Sequence, residues 1–261
     1  MAELFDILPG PDLFVKQISI DGKELSKKLN PPPNTLITKS DDDYLLEIPT
    51  VQQLMKEKIT LKSRVTFFVG ENGSGKSTLI EAIATALNFN AEGGDKSTLF
   101  KTEETHSVLG QFTNVARGSY PSDGYFLRAE SFYNVTSYLE SVGATRYGRL
   151  HEQSHGESFL ALVSNRLEGN GLYIFDEPEA ALSPSRLMTL MCYMHELEKA
   201  NSQFIISTHS PILMSYPGAE IFELSDKGIK KIEYKDTEHY RITKDFIDKP
   251  EVIFRHLFES N

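Results

Sequence analysis

Cysteine is nearly missing from this 261-residue chain: Cys192 stands alone, so neither an intrachain disulfide nor a cysteine metal cluster can form, and a reducing interior is the natural setting. Long apolar runs are missing as well. Unbroken apolar stretches reach about five residues against the roughly 18 a membrane helix needs. Met1 to Gly10 is acidic and lacks the apolar stretch of a secretion signal. These gaps predict a soluble, cytoplasmic chain with no transmembrane segment of its own. Positive charge is scarce too: 27 Lys and Arg against 37 Asp and Glu leave a net charge of −10, which gives no global attraction to nucleic acid or an anionic membrane, although a local basic patch remains open. No repeat of fixed period and no coiled-coil heptads occur. What remains is 39% hydrophobic and 25% charged residues, enough to bury a core, with glycine and proline spread too evenly to mark a linker. A single domain over residues 1–261 is expected.

The N-terminal fifth holds Pro31-Pro32-Pro33 and Asp41-Asp42-Asp43, read as a solvated loop, with Leu13 to Ile20 and Leu45 to Ile48 as strands of an antiparallel β unit. Arg64 to Val69 is a β-branched and aromatic run stopping at Gly70, and Ser77 to Leu87 places Leu79, Ile80, Ile83 and Leu87 on one helical stripe. From Phe89 to about Arg149 the pattern is weak, with a strand at Gly124 to Ala129. Ser158 to Leu167 reads as a helix, Leu172 to Phe175 as a short apolar strand, and Phe204 to Ser207 as another. Between those strands Ser183 is positioned as an N-cap before Pro184, with Leu187, Leu190, Met191, Met194 and Leu197 at helical spacing. Alternating strands and helices imply an α/β fold with a mostly parallel central sheet covered on both faces. The tail reads as a hairpin over Glu220 to Tyr234 turning at Asp226-Lys227-Gly228, then a short helix opening at Pro250.

Gly70-Glu71-Asn72-Gly73-Ser74-Gly75-Lys76-Ser77, followed by Thr78, fits the G-x-x-x-x-G-K-[ST] spacing of a phosphate-binding loop. Glycines let the backbone fold tightly enough for successive N–H groups to converge on phosphate oxygens, and the helix starting there adds its positive end. By chance the pattern should occur in roughly one chain of this length in a hundred. The strand before it and the helix after it reduce that further. Lys76 would reach the β and γ phosphates of ATP, and Ser77 would place its hydroxyl on Mg²⁺. Leu172-Tyr173-Ile174-Phe175-Asp176-Glu177 supplies the other requirements, since open α/β sheets bind ligands at the C-terminal ends of strands. Asp176 is the metal-side acid and Glu177, pointing differently, the general base.

Two further elements make the chain resemble the nucleotide-binding domain of the ABC ATPase superfamily. Ser154-His155-Gly156-Glu157-Ser158 resembles the L-S-G-G-Q signature and lies 22 positions before Asp176, while His209, in Ser207-Thr208-His209-Ser210-Pro211, follows Asp176 by 33 and matches the switch histidine. The resemblance covers residues 64 to 211. It implies a P-loop NTPase of ABC type with an antiparallel β subdomain and a small helical signature subdomain inserted near residues 90–165. It also implies an ATP-dependent homodimer: Ser154, Gly156 and Glu157 would act in trans on the γ-phosphate, while Lys76, Ser77, Asp176, Glu177 and His209 act in cis.

Departures from the transporter pattern are informative. Asp176-Glu177-Pro178-Glu179-Ala180-Ala181-Leu182-Ser183-Pro184 is closer to the D-E-P-E-x-x-L-[HS]-P form of SMC-like, recombination-type and overcoming-lysogenization-defect-type ATPases, with Ser183 in place of the usual aspartate. Gly124-Tyr125-Phe126-Leu127-Arg128 aligns with the Q-loop strand end, which puts Arg128 or Glu130 near the metal, with Gln111 more remote. Phe14 and Tyr44 are the aromatic candidates for stacking on adenine. His106, His151 and His195 have no such context. The reading favoured is a standalone ATPase coupled to an unidentified partner. The alternatives are a DNA-repair or phage-defence ATPase head and an energising subunit of an ABC transporter.

Overall fold

The computed structural model describes residues 12–30, 42–95, 107–129, 132 and 155–259. In chain order these form β1 (Val15–Ile20), α1 (Gly22–Leu29), α2 (Pro49–Leu54), β2 (Ile59–Thr60), β3 (Val65–Val69), α3 (Lys76–Ala86), β4 (Thr113–Arg117) and β5 (Asp123–Arg128). There follow α4 (His155–Arg166), β6 (Gly171–Asp176), α5 (Pro184–Lys199), β7 (Gln203–Ser207), α6 (Pro211–Met214), β8 (Glu220–Ser225), β9 (Gly228–Ile232), α7 (Glu238–Asp248) and α8 (Pro250–Glu259).

Six strands in the order β5-β6-β7-β3-β8-β9 make the central sheet. All pair in parallel except β9, which returns antiparallel to β8 through the tail hairpin. The inner strands β3, β6 and β7 are mainly apolar because they are buried on both faces, whereas β5, β8 and β9 also carry charged residues such as Asp123, Glu223 and Lys230. Within them the pleat still sorts side chains by turns. Phe68, Phe126, Ile174, Ile205 and Phe222 join α3 and the antiparallel sheet in one core. Phe67, Tyr173, Phe175, Phe204 and Ile206 face α4 and α5 in the other. Each such fully buried Phe or Ile contributes about 1.5–3 kcal/mol relative to exposure.

The second sheet is the expected antiparallel unit, with order β2-β1-β4. It is fastened to the central sheet by Gln203, whose buried amide accepts from Val15 N at 2.9 Å and donates to Val15 O at 3.0 Å. Leu45 to Ile48 is not a strand of it. Asp43–Glu47 forms a 3-10 turn with Leu45 N donating to Asp42 O, because β2 and β4 already occupy both edges of β1, and Pro49 opens α2 directly afterwards. Ser183 takes the N-cap position of α5 but makes no capping bond; its hydroxyl lies 3.2 Å from that of Ser185. Pro31 to Pro33, Asp41 and most of residues 130–154, within the stretch expected as a helical insert, lie outside the described residues, as do His106 and His151. His195 is exposed.

Candidate phosphate-binding site

Three neighbouring strands end together. β3 runs into the glycine loop, β6 ends at Asp176, and β7 ends at Ser207, with Asp176 and Phe68 each in register with Ser207. The loop Gly70 to Gly75 needs its glycines. Gly70, Gly73 and Gly75 have φ of +148°, +83° and +90°, and a Cβ on Gly70 would lie 2.3 Å from the Leu224 carbonyl of the adjacent strand β8. α3 begins at Lys76 immediately after the loop, so its free N–H groups face the same space. Beside the loop is a cavity of about 490 Å³, walled by Gly70 to Ser74, by the end of β8 and by Glu238 and His239 at the start of α7.

Lys76 is only 4% exposed. Its ammonium donates to the Glu71 carbonyl at 2.9 Å. Burial pushes its pKa below the ordinary value, against the opposing pull of Glu177, Asp176 and Glu179. The buried Asp176 accepts from the Ser207 hydroxyl at 2.5 Å, and the nearby Ser77 hydroxyl favours its charged form. Burial pushes its carboxyl upward, opposed by those hydrogen bonds and by Arg128, whose Nε lies 3.5 Å from Asp176 Oδ2. Ser77 and Asp176 thus present a hydroxyl and a carboxylate toward each other. That donor set suits Mg²⁺, which takes few protein oxygens and fills its remaining positions with water and phosphate.

Glu177 turns away from Asp176 because its backbone is left-handed, at φ +49° and ψ +55°. This conformation is costly for a residue with a Cβ and tends to persist where a site requires it. Its amide is held by the Ser207 carbonyl and hydroxyl, at 3.1 and 3.2 Å. The carboxylate then lies with Oε1 3.3 Å from His209 Nε2. His209 itself is fixed through its backbone N–H, which donates to Glu179. Its Nδ1 lies 2.9 Å from Nε2 of His239.

The structure therefore brings Lys76, Ser77, Asp176, Glu177 and His209 together at the ends of β3, β6 and β7, next to the loop. Arg128, the Q-loop candidate, is there too, with its guanidinium bridging Asp176 and Glu81 of α3, the latter at 2.8 Å. Gln111 is exposed, in the 3-10 turn Val108–Phe112. Gly156 and Glu157 lie in the first turn of α4, where Arg186 binds Glu157 at 3.0 Å and the Ala181 carbonyl backs Gly156. Ser154 and Glu130 fall outside the described residues. Phe14 is no adenine platform: it is 1% exposed and belongs to the core below β1. Tyr44 remains exposed. His239 and the supporting role of Glu179 were not foreseen. Glu179 lay unused inside a named motif, and His239 comes from a helix with no motif at all.

A strand, glycine loop and helix with paired acids on the neighbouring strand define the class as a P-loop NTPase domain. The family profile described as "AAA domain" matches residues 46–152, and one described as "AAA domain, putative AbiEii toxin, Type IV TA system" matches residues 150–215. The ribose import ATP-binding protein RbsA of Halalkalibacterium halodurans is 27% identical over 179 residues, 57% of this chain and 34% of that protein. The xylose import ATP-binding protein XylG of Moorella thermoacetica is 24% identical over 202 residues, 64% of this chain and 40% of that one. An SMC head domain from Thermotoga maritima superposes with TM-score 0.40 at 17% identity, covering 68% of this chain and 92% of that one. The chain spans less than half the length of the curated relatives it matches. The chain is thus similar, in parts, to AAA-domain profiles and to ATP-binding proteins of sugar import systems. No helix among the described residues is long and apolar enough to cross a membrane.

Proposed function

We propose that this chain binds Mg-ATP on the Gly70 to Thr78 loop and hydrolyses it, and that two copies associate around the nucleotide. The convergence of Lys76, Ser77, Asp176, Glu177 and His209 at the ends of β3, β6 and β7 carries this reading. The loop amides and the buried Lys76 hold the β and γ phosphates. Ser77 and Asp176 hold Mg²⁺, which supplies charge neutralisation at the phosphate oxygens. Glu177, turned out of line with Asp176, orients and deprotonates the attacking water. His209, with Nε2 beside Glu177, donates to the γ-phosphate. Ser154, Gly156 and Glu157 complete the site of a second copy, so that ATP joins two half-sites and its hydrolysis is passed to a partner.

Changing Glu177 to Gln keeps the carboxylate's shape and removes its basicity. ATP binding should persist, turnover should fall by about 10²–10⁴-fold, and the mass in solution should double with ATP. Ordinary turnover by that variant would refute the assignment of the base. Mixing Ser154→Arg with Lys76→Ala chains tests the shared site, because a heterodimer retains one intact composite site. No recovery at any mixing ratio would count against action in trans. The D-E-P-E form and the toxin-system description of the second matching profile favour a DNA-directed or phage-defence role as the second reading. Salt-sensitive DNA stimulation of the ATPase would select it.

A further inference from the structure

The C-terminal segment places a second imidazole against the site, and its chemistry can be worked out from the groups around it. His209 Nε2 is buried without a hydrogen-bond partner, and the charged group beside it is the Glu177 carboxylate, with Oε1 at 3.3 Å. A carboxylate accepts hydrogen bonds, and so do the oxygens of a phosphate bound on the loop. The Lys76 ammonium is turned instead to the Glu71 carbonyl. A lone pair on Nε2 would therefore face acceptors, so the proton of a neutral imidazole belongs on Nε2 and the lone pair on Nδ1. That lone pair needs a donor. At 2.9 Å from it is His239 Nε2, with the two ring centroids 5.1 Å apart.

We propose that His239 is a positioning residue that donates its Nε2–H to His209 Nδ1 and thereby fixes the tautomer and angle of the His209 ring, aiming Nε2–H at the phosphate site. This rests on the reading above, in which His209 faces the γ-phosphate. The neutrality it needs is supported by the surroundings: burial, then the Lys76 charge, then His239, push His209 down to about 4. Placement of the donor is also built in. The fully buried Thr237 caps α7, accepting from Tyr240 N at 3.3 Å and donating to the Tyr234 carbonyl at 2.8 Å. The Tyr234 and Tyr240 rings pack at 4.7 Å on either side of that turn. Glu238 and His239 then wall the cavity over the glycine loop.

The test combines imidazole ¹⁵N spectra with steady-state kinetics on the full chain. In the unaltered protein His209 should carry its proton on Nε2. In His239→Ala it should become a mixture or move to Nδ1, with kcat down about 10–100-fold, the scale on which groups that orient a functional histidine act, and KM for ATP changed by no more than about twofold. His239→Gln offers an amide N–H in place of the imidazole N–H and should restore both the tautomer and most of kcat. The proposal is overturned if His209 has the same tautomer in the unaltered protein and in His239→Ala, or if Gln is no better than Ala. A chain that shows the expected tautomers yet never hydrolyses ATP would sink the ATPase reading and leave the histidine pair standing.

Discussion

Replacing Arg166 with Met tests how the helix that begins at the signature-like turn is anchored. Arg166 ends α4 and binds Asp123 Oδ1 at 2.7 Å and Asp95 Oδ2 at 3.1 Å, while Asp123 also accepts the Tyr173 hydroxyl at 2.7 Å and the Glu168 amide at 3.2 Å. The Arg166 and Asp123 side chains are 13% and 12% exposed. Stranding one partner of a fully buried pair costs about 3–5 kcal/mol. Residual exposure and the two donors left to Asp123 bring the expected loss to about 2–3 kcal/mol at pH 7, or about 5–10 °C in Tm for a domain of this size. Burial alone would lift the Asp123 carboxyl, but the Arg166 and Tyr173 hydrogen bonds outweigh it and hold the pKa below its ordinary 3.8. A lowered carboxylate stabilises above the unfolded-state value and loses that contribution as pH falls beneath it. The gap between the two proteins in urea unfolding should therefore narrow below about pH 4, and adding Asp123→Asn should recover about 1–2 kcal/mol by removing the stranded charge. A loss under about 0.5 kcal/mol at pH 7, or a gap unchanged with pH, would refute the reasoning.

Lys76→Ala should abolish binding of a fluorescent ATP analogue without lowering Tm, because the ammonium is buried at a desolvation cost; unchanged affinity would remove the loop from the nucleotide site. Gly70→Ala should also lose nucleotide, since its Cβ meets the Leu224 carbonyl at 2.3 Å and the loop must shift to admit it. Normal affinity in that variant would show the loop geometry to be dispensable. His209 is pushed down to about 4 among Glu177, His239, Lys76 and Glu179. The unfolded chain therefore takes up a proton near the ordinary 6.5 that the folded one refuses until about 4. Stability should fall with pH across that interval, and His209→Gln should flatten the slope in thermal melts. A slope identical to that of the unaltered protein would contradict the shift.

The legible parts of the fold were those governed by short-range rules. β3, β6 and β7 announce themselves as mainly apolar runs ended by Gly70, Asp176 and Ser207 because a parallel strand buried on both faces takes few polar side chains, Thr66 being one of them. The loop is legible because only glycine takes φ values such as those at Gly73 and Gly75 cheaply. Leu45 to Ile48 misled because its apolar residues fill the core from a 3-10 turn, and burial without a second period looks the same in either conformation. The short helices α1 and α2 went unread for the same reason: one or two turns barely establish a 3.6-residue period. His209 could be found by its distance from Asp176, but its neighbour could not. His239 reaches the site only through the hairpin β8–β9 and the turn at Thr237, a path no spacing rule encodes.

The helix that delivers His239 contains no buried residue, and with α8 it leaves Ile242, Ile247, Leu257 and Phe258 open to water. Here the nitrogen that touches His209 comes from an outlying arm held at its first turn by Thr237, so the position of that arm sets the position of the neighbouring ring.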